Sequence, residues 1–334
     1  MKLTLEEVKS ITLGAENVTE ENGKFKFYRF NEKELEAYAP TRYAEKSLAT
    51  SGIQMEFSTD ATAIYMSGDI KISSSRTYYN IEIFCDGKLV GDIRNFNYED
   101  MTLPYTGISV PGREFDKTIE LSKGDKKVRV ILPWTSSPEI NEIELVDATY
   151  LTPIKKAKQM LIYGDSITQG YDALSPSRAY AVAMAYALDA EGINKAIGGE
   201  VFFTKLSKIR SRMNPDYITV AYGTNDWSRR TYEDFSSSAE EFFSDLAKLY
   251  PDAKIFAISP IWRKDYQLEK KFDFFEVDAT FRRIAEKIPN MTVIRAFDFV
   301  CHDENLYADL RLHPSDDGFV QYANGVVSEI KKYI

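Results

Sequence analysis

Cysteine and histidine are scarce in this chain of 334 residues, with two of each. Cys85 and Cys301 stand far apart and form neither a disulfide framework nor a metal-ligand spacing. Two histidines without a nearby cysteine pair give no zinc ligand set, so no metal and no cofactor is expected. Basic charge is also short. The 42 Lys and Arg are outnumbered by 51 Asp and Glu, for a net charge of −9. No electrostatic footprint for nucleic acid exists, and an anionic membrane surface repels the chain on average. No apolar run reaches the length of a membrane span. Met1 to Gly14 mixes Lys and Glu through short apolar steps and lacks the core and cleavage site of a signal peptide. The cytoplasm is therefore the expected location, although a leader already removed would leave no trace. Internal repeats and low-complexity tracts are absent as well.

What is present divides into two grammars. The hydrophobic fraction of 44% is that of a folded protein, and the length suits two domains. From about residue 25 to 150 apolar residues alternate, as in Ile53-Gln54-Met55-Glu56-Phe57 and Ile81-Glu82-Ile83-Phe84. Asp86-Gly87 and Lys123-Gly124-Asp125 are hairpin signals between such runs. Many short strands separated by turns predict a β-sandwich of jelly-roll type over residues 1–150. Thr152-Pro153 and the lysines after it predict a linker over 151–158. From 159 to 334, short apolar runs alternate with helical patterns. Strands are predicted at Met160–Tyr163, Ile193–Ile197, Tyr217–Tyr222, Ile255–Ser259 and Thr292–Ala296. Phe235, Ala239, Phe242, Leu246 and Leu249 recur at helical spacing and predict a helix over 233–250. Ser315 is placed to cap a closing helix. This alternation implies a parallel sheet with helices on both faces, whose ligands bind beyond the strand carboxyl ends.

Four positions at those ends carry chemistry. Ser166, in Gly164-Asp165-Ser166, follows the first strand, where a turn can expose its hydroxyl; taken alone, such a triplet is more often a capping serine. Gly199 follows the second strand, and without a Cβ its N–H can approach a reacting oxygen closely, although a turn glycine explains it equally well. Asn225, in Gly223-Thr224-Asn225-Asp226, follows the third strand and offers a side-chain amide donor. His313, before Pro314 and the closing helix, is a candidate general base with a pKa near ~6.5, so activity is expected to fall below that pH. His302 lies in a polar loop and reads as structural.

Gly-Asp-Ser-Ile-Thr, Gly199, Gly-Thr-Asn-Asp and His-Pro, in this order, closely resemble the SGNH (GDSL-type) hydrolase superfamily over about residues 155–334. The resemblance implies a flavodoxin-like five-stranded sheet in a three-layer α/β/α domain. It also implies that Ser166 attacks an ester carbonyl, that His313 is the base, and that the Ser166 N–H, the Gly199 N–H and the Asn225 amide hold the oxyanion. One position departs from the pattern. The family commonly places an aspartate three residues before the histidine, where this chain has Leu310, and Asp309 lies four before. Either a one-residue bulge brings Asp309 to the imidazole, or a backbone carbonyl orients the ring.

The sandwich-plus-SGNH layout also resembles carbohydrate acetyl esterases that pair a jelly roll with this domain. That implies removal of small acyl groups, above all acetyl, from carbohydrate. Trp227, Trp262, Arg263 and Asp172, near the active edge, are candidate substrate-binding residues. Tyr78, Tyr79, Phe96 and Tyr98 of the sandwich suit either sugar stacking or core packing. The expected partner is a small-molecule or oligosaccharide ester, with no nucleic acid and no membrane; a homo-oligomer stays open. Three other readings remain: a thioesterase, a lysophospholipase-like enzyme, or a carbohydrate-binding protein whose hydrolase domain is spent.

Overall fold

Alternating apolar residues in the first half close against one another as two antiparallel sheets. The computed structural model describes residues 1–334. One sheet runs in the order Thr12–Leu13, Gln54–Thr59, Lys126–Ile131, Asn80–Cys85, Lys88–Arg94; the other runs Asn17–Glu21, Lys24–Tyr28, Ser136–Val146, Ala63–Ile72, Glu114–Glu120. Met55, Phe57, Ile64, Met66, Ile81, Ile83, Val128 and Val130 fill the space between them. Burying one face of each strand is what a period of two in the sequence demands. The Asp86-Gly87 turn joins Asn80–Cys85 to Lys88–Arg94, with both residues at positive φ, as a two-residue hairpin requires. Leu151–Pro153, expected within the linker, instead extends the first sheet by pairing with Gln54–Thr59.

The second half forms a five-stranded parallel sheet ordered Ala190–Asn194, Lys158–Gly164, Tyr217–Ala221, Lys254–Ile258, Met291–Ile294. In strand sequence this is 2-1-3-4-5, the flavodoxin-like order, with its switch point at the first strand. The second strand ends at Asn194, three residues earlier than its apolar pattern suggests. Alternate residues of the first strand serve the two faces. Met160 and Ile162 pack with Tyr180, Met184, Phe319 and Tyr322. Leu161 and Tyr163 pack with Phe235, Phe242, Leu246, Val277 and Phe281. The layers are helices Tyr180–Ala187 and Asp316–Ile330 on one side, and Tyr232–Leu249 and Glu276–Ala285 on the other. The helix Glu276–Ala285 is not among the elements expected above.

The two halves share their interiors. Tyr78, Phe96, Ile131 and Trp134 of the sandwich lie in one continuous core with Met160, Ile167 and Tyr171. Phe30 and Tyr38 lie in the core on the opposite face of the parallel sheet. Tyr38 is delivered by a short helix, Glu32–Tyr38, closed at its start by a reciprocal Asn31–Glu34 capping box. The segment from Phe30 to Tyr38 therefore packs against the parallel sheet, while Leu3 to Phe27 pack within the sandwich.

Candidate active site

The carboxyl end of the first strand turns directly into a short helix, Ser166–Gln169, capped by the Asp165 side chain on the Ile167 N–H at 3.0 Å. Ser166 is thus the first helical residue, and its own N–H has no partner within the helix. Burial raises the Asp165 pKa to about 7, so this cap gains a proton close to neutrality. Asn225 stands at the same edge, in the helix Thr224–Arg229 that follows the third strand. Its amide nitrogen donates to the Glu200 carbonyl at 3.0 Å, which fixes the side chain in place. Gly223 makes that turn possible. Its φ is +116°, and a Cβ there would lie 2.5 Å from Val277.

His313 reaches Ser166 from a small hairpin. Tyr307 and Pro314 form an isolated antiparallel bridge, and the Ala308 N–H donates to the His313 carbonyl at 2.7 Å. The extra residue between Asp309 and His313 is absorbed at Leu310, which adopts φ +56°. That left-handed residue curls the loop around the Asp309 carboxylate. Asp309 Oδ1 accepts from the N–H groups of Arg311, Leu312 and His313 at 3.0, 2.6 and 3.0 Å. Asp309 Oδ2 lies 2.9 Å from His313 Nδ1, and His313 Nε2 lies 2.8 Å from Ser166 Oγ. Of the two arrangements open in the sequence, the structure adopts the bulge.

Asp172 forms a second contact with the same ring nitrogen, which the sequence did not reveal. Its Oδ2 is 3.3 Å from His313 Nδ1. The carboxylate is fully buried and held from the sandwich side. Arg76 donates to it through Nε at 2.6 Å and Nη2 at 3.0 Å, and Tyr78 through its hydroxyl at 3.0 Å. Burial disfavours a charged imidazole, but the hydrogen bonds and charges of Asp172 and Asp309 outweigh it, raising the His313 pKa to about 9. Burial alone would likewise raise both carboxylates. His313 instead holds each below its ordinary range, helped by Arg76 at Asp172 and by the Leu312 and His313 N–H groups at Asp309. Asp172, Asp309 and His313 offer three potential ligand atoms within 4.8 Å of one another. Both carboxylates face the same ring nitrogen, which accounts for this closeness.

Gly199 completes the edge. Its φ is +84°, and its N–H donates to no protein acceptor. The N-terminal half sets its orientation. Lys46 Nζ donates to the Gly198 carbonyl at 2.8 Å. In a trans peptide the N–H opposes the C=O, so this bond aims the Gly199 N–H away from Lys46. The Tyr43 hydroxyl donates to the Gly199 carbonyl at 2.8 Å, and Arg229 donates to the same oxygen. Arg29, fully buried, ties the segment leading into this loop through the carbonyls of Asn194 at 2.7 Å and Ala196 at 2.6 Å. The Gln169 side chain accepts from the Gly198 N–H at 2.7 Å, joining this loop to the Ser166 helix.

The four residues expected to bind substrate are engaged elsewhere. Asp172 faces His313 rather than solvent. Trp227 is fully buried against Phe274. Arg263 lies over the Trp227 ring and bonds Thr224 and Asp265. Trp262 stacks on His302 with ring centroids 5.3 Å apart. Position just beyond a strand end suggested exposure, but Phe274 covers Trp227 and His302 stacks on Trp262 from later segments, while Arg263 pairs with the nearby Asp265. Tyr78, Tyr79 and Phe96 are core residues, while Tyr98 is 38% exposed.

A serine hydroxyl bonded to an imidazole, beside an unpartnered N–H and a fixed amide donor at a parallel-sheet edge, can perform acyl transfer to water. Such an arrangement suits ester hydrolysis through a serine. Residues 162–319 match the GDSL-like lipase/acylhydrolase family. Residues 162–319 therefore form a GDSL-like hydrolase domain, which makes the chain an ester hydrolase. No curated protein sequence matches it. Among solved structures it is similar to SsfX3, a salicylyl-acyltransferase from a tetracycline biosynthetic pathway. That match has 18% identity and a TM-score of 0.75, covering 96% of this chain and 94% of that one. It is also similar to a family two carbohydrate esterase from Cellvibrio japonicus, with 13% identity and a TM-score of 0.66, covering 99% and 97% of the two chains. A third likeness is to the acetyl xylan esterase Est2A from Butyrivibrio proteoclasticus, with 13% identity and a TM-score of 0.63, covering 99% and 98%. At these identities the likeness shows the two-part fold. No helix is long and apolar enough to cross a membrane.

Proposed function

We propose that the protein removes small acyl groups, chiefly acetyl, from carbohydrate esters through an acyl-enzyme on Ser166. The observation that carries this reading is the continuous hydrogen-bond chain from Ser166 Oγ through His313 to Asp309, at 2.8 and 2.9 Å. His313 Nε2 accepts the Ser166 proton as Oγ attacks the ester carbonyl. The carbonyl oxygen becomes an oxyanion held by the N–H groups of Ser166 and Gly199 and the Asn225 amide. Collapse breaks the bond to the sugar oxygen, and His313 returns the proton to that leaving alcohol. Water then attacks the acyl-enzyme, giving up its proton to His313, and the free acid leaves as Ser166 is restored. The preference for acetylated sugar is supported by the fold shared over nearly the whole chain with an acetyl xylan esterase.

A fluorophosphonate is expected to label Ser166 and not Ser166→Ala, and hydrolysis of aryl acetates is expected to vanish in the same variant. Release of acetate from acetylated xylo-, manno- or cello-oligosaccharides, with aryl esters losing rate as the acyl chain lengthens, supports the acetyl esterase. A preference for long acyl chains would move the reading to a lipid-acting enzyme. An unlabelled Ser166 would end the hydrolase reading.

A further inference from the structure

Three cations crowd the glycine of the oxyanion edge without an acid among their partners. Lys46 binds the Gly198 carbonyl at 2.8 Å; Arg229 and Arg42 both reach the Gly199 carbonyl, Arg42 at 3.5 Å. A Cβ added to Gly199 would sit 3.7 Å from Arg229 Nη1 and 4.0 Å from Lys46 Nζ. Other cations of this region are neutralised: Arg76 by Asp172, Lys195 by Glu16 and Glu34, and Arg230 by Asp226. Arg42, Lys46 and Arg229 bond only main-chain carbonyls and the Tyr43 hydroxyl, which orient them and leave their charge in place. Glu200, which follows Gly199 directly, is turned into the core, where it accepts from the Tyr222 hydroxyl at 2.7 Å. Concentrating unpaired positive charge at one point of a chain with net charge −9 is unfavourable to assembly through mutual repulsion.

The cluster adjoins the reaction centre. Lys46 Nζ lies 5.8 Å from the centre of the Tyr171 ring, and that ring lies 5.6 Å from His313. Arg42 and Arg229 are exposed and Lys46 is half-buried, so a substrate group can reach all three. Two guanidinium groups and an ammonium present several N–H donors, the recognition chemistry of a carboxylate or other oxyanion.

We propose that the substrate carries an anionic group close to the scissile ester, and that Arg42, Lys46 and Arg229 receive it. For a carbohydrate this means an acylated acidic sugar in place of a neutral one. The proposal rests on the reading of Ser166 and Gly199 as the reaction centre. It also explains why the cations come from both halves of the chain: Arg42 and Lys46 lie between the sandwich strands Lys24–Tyr28 and Gln54–Thr59, and Arg229 ends a helix of the parallel-sheet domain.

The test uses pairs of esters that differ only in charge: 3- and 4-acetoxybenzoate and their methyl esters, with rates corrected for reactivity toward hydroxide. For at least one acid, kcat/KM is expected to exceed that of its methyl ester by about tenfold at low ionic strength, mainly through KM. Because exposed charges are screened, that ratio should approach one in 0.5 M salt. It should fall likewise in Arg42→Gln and further in Arg42→Gln/Arg229→Gln. If both methyl esters are hydrolysed as well as or better than the acids, the anionic-substrate proposal is wrong while the esterase reading stands. If none of the four is hydrolysed and Ser166 is not labelled, both fail.

Discussion

Asp172 Oδ2 stands 3.3 Å from His313 Nδ1, although the two residues lie in different loops and Asp172 is fully buried. Asp309 already occupies that nitrogen at 2.9 Å. One imidazole N–H is therefore offered to two carboxylates, one held by the turn that carries His313 and the other by Arg76 and Tyr78 of the sandwich.

Loss of either carboxylate is expected to be partly covered by the other. Asp309→Asn keeps an oxygen for the three N–H groups of the loop, so the turn survives. Its rate is expected to fall by about 10- to 100-fold, short of the ~10⁴-fold seen when the sole triad acid becomes Asn. Asp172→Asn should cost about tenfold. Asp172→Asn/Asp309→Asn should lose roughly 10⁴-fold, well beyond the product expected if only one carboxylate orients the ring. A double variant no worse than Asp309→Asn would remove Asp172 from the reaction.

The pH profile follows from the His313 pKa of about 9. His313 is competent as a base only when neutral, so kcat/KM is expected to rise with pH beyond 6.5, pass half its maximum near 9 and level off above it. This midpoint lies above the unperturbed value used at the sequence level because two carboxylates favour the charged ring. In Asp172→Asn one of them is neutral, and the limb should move to lower pH. For stability the sign is opposite. The raised pKa contributes fully below about pH 6.5 and is lost as pH rises through about 9. A profile of kcat/KM flat from pH 6 to 9 would contradict the assignment of His313 as base.

Asn225→Ala removes a donor already fixed by the Glu200 carbonyl. A loss of about 100- to 1000-fold in kcat with little change in KM is expected, because the amide acts on the oxyanion and not on the bound ester. A change confined to KM would place Asn225 in ground-state binding.

Lys195 is fully buried between Glu16 at 2.7 Å and Glu34 at 2.5 Å, where the N-terminal segment meets the loop after the second strand of the parallel sheet. Lys195→Met leaves two buried carboxylates without a cation and is expected to destabilise the protein by about 3–5 kcal/mol in urea unfolding. Adding Glu16→Gln and Glu34→Gln should recover much of that loss. No recovery would mean that Lys195 acts through packing alone.

Chelation is expected to leave hydrolysis unchanged, since every step described above is carried by side chains and main-chain donors. Activity abolished by EDTA and restored by a divalent metal would require a different reaction, with Asp172, Asp309 and His313 as the first ligands to examine.

The parallel sheet was legible because its strands are short apolar runs separated by helices of clear period, and its five strands lie within a few residues of their predicted positions. The N-terminal helices were not legible. Leu5–Ile11 and Glu32–Tyr38 span seven residues each, too short for periodicity to distinguish them, and they are fixed by caps and by burial against distant cores. Asp309 was legible as one of two alternatives. Deciding between them needed the φ of Leu310, which no local pattern specifies.

The sequence by itself singled out the proposed nucleophile, base and oxyanion donors, because strand ends and turns are local features and Ser166, Gly199, Asn225 and His313 sit on them in an ordered series. Only the tertiary structure decided what surrounds those four residues. Arg76 and Tyr78 reach Asp172 across more than ninety positions of chain, and Lys46 reaches Gly198 across more than one hundred and fifty. Of the residues expected at the sequence level to bind substrate, Asp172 is held by those same sandwich contacts, and Trp227 and Trp262 pack on Phe274 and His302 from later segments. Contacts of that range leave no period and no spacing in the sequence. They arise when two cores merge, and here that merger makes the N-terminal half part of the active site.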